Sequence, residues 1–150
     1  MTTTSIIRSA DAADISLIAD IEASVFSDAW SESSLSSALT DANQDILCLE
    51  HSGELAAYLI GCGVAGESEI LRIAVSPCFR RRGFGRKLME YFLNDRKTKG
   101  DLTVFLEVRA SNTSAISLYE SCGFRSYTIR RNYYKNPTED AVMMSLDLGN

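Results

Sequence analysis

The stretch Leu71–Lys87, LRIAVSPCFRRRGFGRK, constrains the fold more than any other part of the chain. Leu71, Ile73 and Val75 alternate with Arg72, Ala74 and Ser76, the period of a strand. Pro77 has no amide hydrogen to give and ends the ladder. The run Arg80-Arg81-Arg82-Gly83-Phe84-Gly85-Arg86 is basic and glycine-rich, and Leu88, Met89, Phe92 and Leu93 mark one face of a helix after it. Strand, glycine turn and helix start in that order form an anion site. Gly83 and Gly85 let the backbone come close to a ligand, while the turn and the helix start offer free N–H groups and partial positive charge. Phosphate or pyrophosphate is the natural ligand. The spacing is neither G-x-G-x-x-G nor G-x-x-x-x-G-K-[ST]. From these residues alone, a basic surface turn opening a helix reads equally well.

The other elements follow from periodicity and turn chemistry. Ser5–Arg8 reads as a first strand. Asp11 or Asp14 can cap a helix carrying Ile15, Leu17, Ile18, Ile21, Val25 and Phe26. Ser31 caps a second helix with Leu35, Ala38 and Leu39, and Trp30 sits between the two. Asp45–His51, Leu55–Val64 and Ser68–Val75, separated by short glycine turns, make an antiparallel meander. A helix over Gly83–Lys99 leads to Leu102–Val108, an apolar run expected of a strand buried on both faces and parallel to Ser68–Val75 by a right-handed crossover. Thr113–Cys122 is a helix closed by Gly123, and Arg125–Arg131 and Ala141–Asp147 are the last strands. The order βααβββαβαββ predicts an α/β (α+β) fold, a mixed seven-stranded sheet with about four helices, in one domain spanning 1–150.

Charge and cysteine usage narrow the function. The formal net charge is −5, which argues against a nucleic-acid binder, yet basic residues concentrate at Arg80–Lys87 and Arg125–Lys135. Asp28, Glu32, Asp41 and Asp45 are expected to make other surface acidic and to favour a cationic partner. No apolar run reaches membrane-spanning length. Cys48, Cys62, Cys78 and Cys122 form no C-x-x-C pair and the one histidine is His51, so zinc ligation is not expected. The cysteines read as free thiols of a cytoplasmic protein, and His51 as a solvated residue at a strand end.

Two further residues carry chemistry. Glu107 interrupts the apolar run Leu102–Val108, so its carboxylate must line a cleft, be paired or bind a proton. Each suits a general base, and an edge position facing water is the alternative. Asn112 stands where a helix cap is expected. Tyr119 lies among apolar neighbours on the helix after it, where a tyrosine is packed with its hydroxyl bonded.

Arg80-x-x-Gly83-x-Gly85 after Ile73-Ala74-Val75 resembles the pyrophosphate loop of the GCN5-related N-acetyltransferases. The runs Leu106–Asn112, Ala115–Phe124 and Ile129–Tyr134 with the late Glu139–Leu146 resemble the bacterial ribosomal-protein-alanine branch of that family, from about Phe26 to Leu146. The family tends to carry proline before the tryptophan that follows its first helix; Asp28-Ala29 precede Trp30 here, so one cleft wall departs from the pattern. The resemblance implies acetyl-coenzyme A as co-substrate, no metal, and a ribosomal protein N-terminal peptide as acceptor, with no nucleic acid and no membrane partner. Ile73, Ala74 and Val75 would pair with the pantetheine amides. Arg81, Arg82, Gly83, Phe84, Gly85 and Arg86 would bind the pyrophosphate through their amides, with arginine side chains adding charge. Asn112 would bond the cofactor arm. Glu107 would be the general base and Tyr119 the general acid near the sulfur. Tyr133 and Tyr134 would border the peptide groove between the last two strands. An acetyltransferase for a small amine or a lysine side chain, and a non-catalytic acyl-coenzyme A module, are the competing readings.

Overall fold

The computed structural model describes residues 4–149. In chain order it has β1 (Ser5–Ser9), a 3-10 turn (Ala12–Asp14), α1 (Ile15–Val25), α2 (Glu32–Thr40), β2 (Gln44–His51), β3 (Glu54–Val64), β4 (Glu67–Val75), a second 3-10 turn (Pro77–Phe79), α3 (Phe84–Thr98), β5 (Thr103–Arg109), α4 (Thr113–Ser121), β6 (Arg125–Tyr134) and β7 (Glu139–Asp147). The strands form one seven-stranded sheet ordered β1-β2-β3-β4-β5-β7-β6. Among the described strands only β4 and β5 run parallel, joined through α3 as the crossover rule requires.

Local chemistry sets the boundaries. The Asp11 carboxylate accepts the Ala13 amide at 2.9 Å and opens the first 3-10 turn, while Asp14 receives two hydrogen bonds from Arg8 at 2.7 and 2.8 Å. Ser31 accepts the Ser34 amide at 3.1 Å and caps α2. Gly100 and Gly123, with φ of +89° and +104°, follow the last turns of α3 and α4.

Each face of the sheet carries its own core. On one face Leu88, Met89 and Phe92 of α3 and Tyr119 of α4 pack on Val104, Leu106 and Val108 of β5. On the other, Ile15, Ile18 and Ile21 of α1 and Leu35 and Ala38 of α2 pack on Ile46, Tyr58, Ile60 and Ala74. This second helix layer covers the β2–β4 side. On the same face Phe105, Glu107 and Arg109 stay half-buried, and β6 is exposed along nearly its whole length.

Four sequence expectations are corrected here. Strand β5 is not buried on both faces: Val104, Leu106 and Val108 are inside, whereas Phe105 and Glu107 alternate to the uncovered face and Leu102 is exposed. Helix α3 starts at Phe84, with Gly83 as its N-cap residue. Tyr133 and Tyr134 are the last residues of β6, not a connection between strands. His51 is half-buried, 5.0 Å from the Phe84 ring centroid and 6.0 Å from that of Phe79, and its Nδ1 is buried with no partner among the described residues. The acids expected to charge the surface are partly neutralised within the fold. Asp45 pairs with Arg96, and Asp28 with Arg72 at 3.2 Å.

Candidate active site

The site begins where the parallel pair comes apart. Pairing of β4 with β5 runs from Glu67↔Thr103 to Ile70↔Leu106 and stops there. Leu71 is an extra residue in β4: Arg72 pairs with Ile60 and Ile70 with the adjacent Gly61. Such a bulge bends its strand. Beyond it Ile73, Ala74 and Val75 pair only with Leu59, Tyr58 and Ala57 of β3. Glu107, Val108 and Arg109 pair only with Met143, Val142 and Ala141 of β7. Each of the two strands therefore turns an unpaired backbone edge toward the gap, as an added extended chain requires.

The glycine-rich turn closes one end of that gap. Arg81 has φ of +65° and Gly83 of +78°, so the backbone winds left-handed before entering α3. Among the described residues no side chain caps α3, which leaves its first-turn amides free for an outside anion. A Cβ at Gly83 would meet nothing within 4 Å, and one at Gly85 would lie 3.4 Å from Leu118 Cδ2 and 3.6 Å from Val75 Cγ2. The protein's own packing therefore does not demand glycine at either position. Phe84 is buried. The Arg82 guanidinium lies over Phe79 at 5.3 Å. Arg86 points instead to α4, donating to Ser121 Oγ and lying 3.9 Å from Cys122 Sγ, so its side-chain charge is set back from the turn.

Glu107 and Tyr119 lie on opposite faces of the sheet. Tyr119 is 7% exposed, edge-on to Phe124 at 6.2 Å. Burial first, then Tyr134 and Cys122, raise its phenol above the ordinary range, so it stays protonated at neutral pH. Glu107 faces the uncovered side. The Tyr133 phenol is raised chiefly by hydrogen bonding to the Glu107 carboxylate. Tyr134 is pushed up to about 12 by burial and then by Glu107, and Glu69 is raised by burial and then by Glu107. Asn112 uses its side-chain oxygen to cap α4, accepting the Ala115 amide at 3.2 Å. Among the described residues no group of three or more His, Cys, Asp or Glu could hold a metal. No helix there is long and apolar enough to cross a membrane.

The sequence reading missed the residues that hold the walls. Glu22, fully buried, accepts the Tyr58 hydroxyl, the Trp30 amide at 2.9 Å and Arg72 at 3.3 Å. Arg72 also donates to the Asp28 carbonyl at 2.7 Å and lies over Phe26 at 4.1 Å. This ties the α1–α2 segment to β3 and β4. Beside it a cavity of about 420 Å³ opens between Trp30, Ser33, Ser37, Asp41, Gln44 and Leu71. Arg109 and Glu69 were likewise missed. The one available signal was a charged residue inside each strand pattern.

Residues 15–124 match the Acetyltransferase (GNAT) family. A [ribosomal protein bS18]-alanine N-acetyltransferase of Salmonella typhimurium is 47% identical over 104 residues, 68% of this chain and 70% of that protein. The crystal structure of the ribosomal-protein-S18-alanine N-acetyltransferase from Escherichia coli superposes with a TM-score of 0.91 at 37% identity, covering 98% of this chain and 96% of that one. Arabidopsis thaliana NAA60, solved in complex with acetyl-CoA, shares the fold at 17% identity with a TM-score of 0.88, covering 98% of this chain and 100% of that one. The splayed β4–β5 pair, the uncapped helix behind a left-handed turn and these matches agree, and the chain belongs to the GNAT acetyltransferase family.

Proposed function

We propose that this protein transfers acetyl from acetyl-coenzyme A to the N-terminal alanine of ribosomal protein bS18, with Glu107 as base and Tyr119 as acid. What supports the mechanism is an acid, Glu107, on the stretch of β5 that β4 leaves unpaired, and on the other face of the sheet a Tyr119 phenol that burial keeps protonated. The acceptor and the 37–47% identity to bS18-alanine acetyltransferases go together.

The residues fit the co-substrate. Acetyl-coenzyme A supplies an activated thioester and a pyrophosphate. Arg81, Arg82, Gly83, Phe84, Gly85 and Arg86 offer their amides and the α3 N-terminus to the pyrophosphate. Ile73, Ala74 and Val75 offer a free strand edge to the arm, and the Asn112 amide nitrogen remains available to it. Glu107 takes the proton from the acceptor ammonium, directly or through water, because only the neutral amine attacks. The new C–N bond forms as the C–S bond breaks, and Tyr119 gives its phenolic proton to the departing sulfur.

An α-amine titrates near ~8 and a lysine near ~10.4, so Glu107 has less to do on an N-terminus. The test compares a peptide of the bS18 N-terminus with the same peptide blocked at its amine and carrying an internal lysine. Acetylation confined to the free alanine, and a roughly 10²–10⁴-fold slower rate with Glu107→Gln at unchanged acetyl-coenzyme A affinity, is expected. Faster reaction of the blocked peptide, or a fully active Glu107→Gln, would overturn the acceptor or the base respectively.

A further inference from the structure

Arg109 ends β5, two residues beyond Glu107 and on the same face of the sheet. Its guanidinium bridges segments that are far apart in the chain. Nη1 donates to the Pro137 carbonyl at 3.0 Å and to Glu139 Oε1 at 3.4 Å. Nη2 donates to the Lys135 carbonyl at 2.9 Å and to Ser27 Oγ at 3.4 Å. The plane lies over the Tyr134 ring at 4.5 Å. The other Glu139 oxygen accepts the Ser111 amide at 2.6 Å, which extends the connection to the turn before α4. Ser27 belongs to the α1–α2 segment, and Lys135 and Pro137 to the β6–β7 turn. Those two segments are the sides of the uncovered face on which Glu107 lies.

We propose that Arg109 is a positioning residue: it couples the α1–α2 segment to the β6–β7 turn, so that both sides of the acceptor cleft are set as one unit, with Tyr134 held beside Glu107 and Tyr119. The inference rests on the acceptor entering on the Glu107 face. Both terminal nitrogens of Arg109 are engaged by internal acceptors, which fits a tie between segments. Only a planar fork serves here. A lysine ammonium is a point donor and cannot span acceptors on two segments while stacking on a ring.

Arg109→Met keeps the aliphatic length and removes the fork, and Arg109→Lys keeps the charge. Hydrogen exchange on the protein without substrate should show residues 26–31 and 132–138 both exchanging roughly tenfold faster in each variant. Amides of β3 and β4 should stay protected. With the alanine peptide, KM should rise roughly tenfold while kcat stays within about twofold, and acetyl-coenzyme A affinity should not change. Loosening of only one segment, or of neither, overturns the coupling. Loosening of both with an unchanged peptide KM overturns the positioning role. An Arg109→Lys protein indistinguishable from wild type shows that charge alone suffices and overturns the fork. The exchange measurement needs no acceptor, so it decides the coupling even if the bS18 peptide proves not to be the substrate.

Discussion

Removing the Glu22 carboxylate should destabilise the fold more than most single changes. The side chain is fully buried and serves three donors: the Tyr58 hydroxyl, the Trp30 amide and Arg72. Tyr58 is itself fully buried, and burial with the hydrogen bond to Glu22 raises its phenol, so it remains a donor. In Glu22→Ala the Tyr58 hydroxyl and the Trp30 amide lose their acceptor, a cost of about 1–3 kcal/mol for such a group. Arg72, its side chain 11% exposed, keeps only Asp28 as counterion. Breaking a buried pair by deleting one partner costs about 3–5 kcal/mol. These terms overlap, and the remaining Asp28 softens the second, so the expected loss is about 4 kcal/mol. At roughly 2–4 °C per kcal/mol for a chain of this size, Tm should fall by about 10 °C. Urea denaturation of Glu22→Ala, Glu22→Gln, Arg72→Met and the Glu22→Gln/Arg72→Met double variant checks this. The double variant should be less destabilised than the sum of its single changes, because neither change then strands a charge. A Glu22→Gln protein within ~0.5 kcal/mol of wild type, or strictly additive losses, would refute the buried-network argument.

Gly83→Ala forces a left-handed residue to carry a Cβ, which costs about 1–2 kcal/mol with no steric clash inside the protein; calorimetry should show weaker acetyl-coenzyme A binding beyond that loss, and unchanged affinity would remove the turn from the pyrophosphate site. Tyr119→Phe should lower kcat and leave the peptide KM near its original value, read from initial rates. Asp14 is held below the ordinary carboxylate range chiefly by its hydrogen bonds from Arg8. Its folded pKa is depressed, so this stability is present above the unfolded value near ~3.9 and is lost as pH falls through the folded one. Asp14→Asn should therefore flatten the acid limb of a stability–pH curve measured by urea denaturation, and an unchanged slope would mean that other groups set it.

The strand, turn and helix start proposed to hold the pyrophosphate were legible in the sequence as structure because they are contiguous. Alternation in Leu71–Ser76, the stop at Pro77 and the glycines at 83 and 85 lie within one strand–turn–helix unit, and each is a local signal. The Leu71 bulge was not legible. A bulge exists only relative to a partner strand, and the strand pattern through Leu71, Ile73 and Val75 looks unbroken. Glu107 shows the same limit from the other side. The apolar run around it suggested burial on both faces, yet α1 and α2 cover only the β2–β4 side of the sheet. The missing helix layer leaves Phe105 half-buried and gives the Glu107 carboxylate its access. The proposed acceptor side draws on residues 26–31, 107–109 and 132–139, which no periodicity links. Glu22 and Arg72, or Ser27 and Arg109, meet only after the sheet has formed. His51 was misread for that reason too, since the aromatic rings that cover it belong to the turn after β4 and to α3. A cofactor loop can be carried between proteins as one segment. An acceptor cleft held by long-range ion pairs can change its specificity through the segments those pairs hold, without disturbing the loop, and the Asp28-Ala29 departure falls on one such segment, with Arg72 bonded to Asp28.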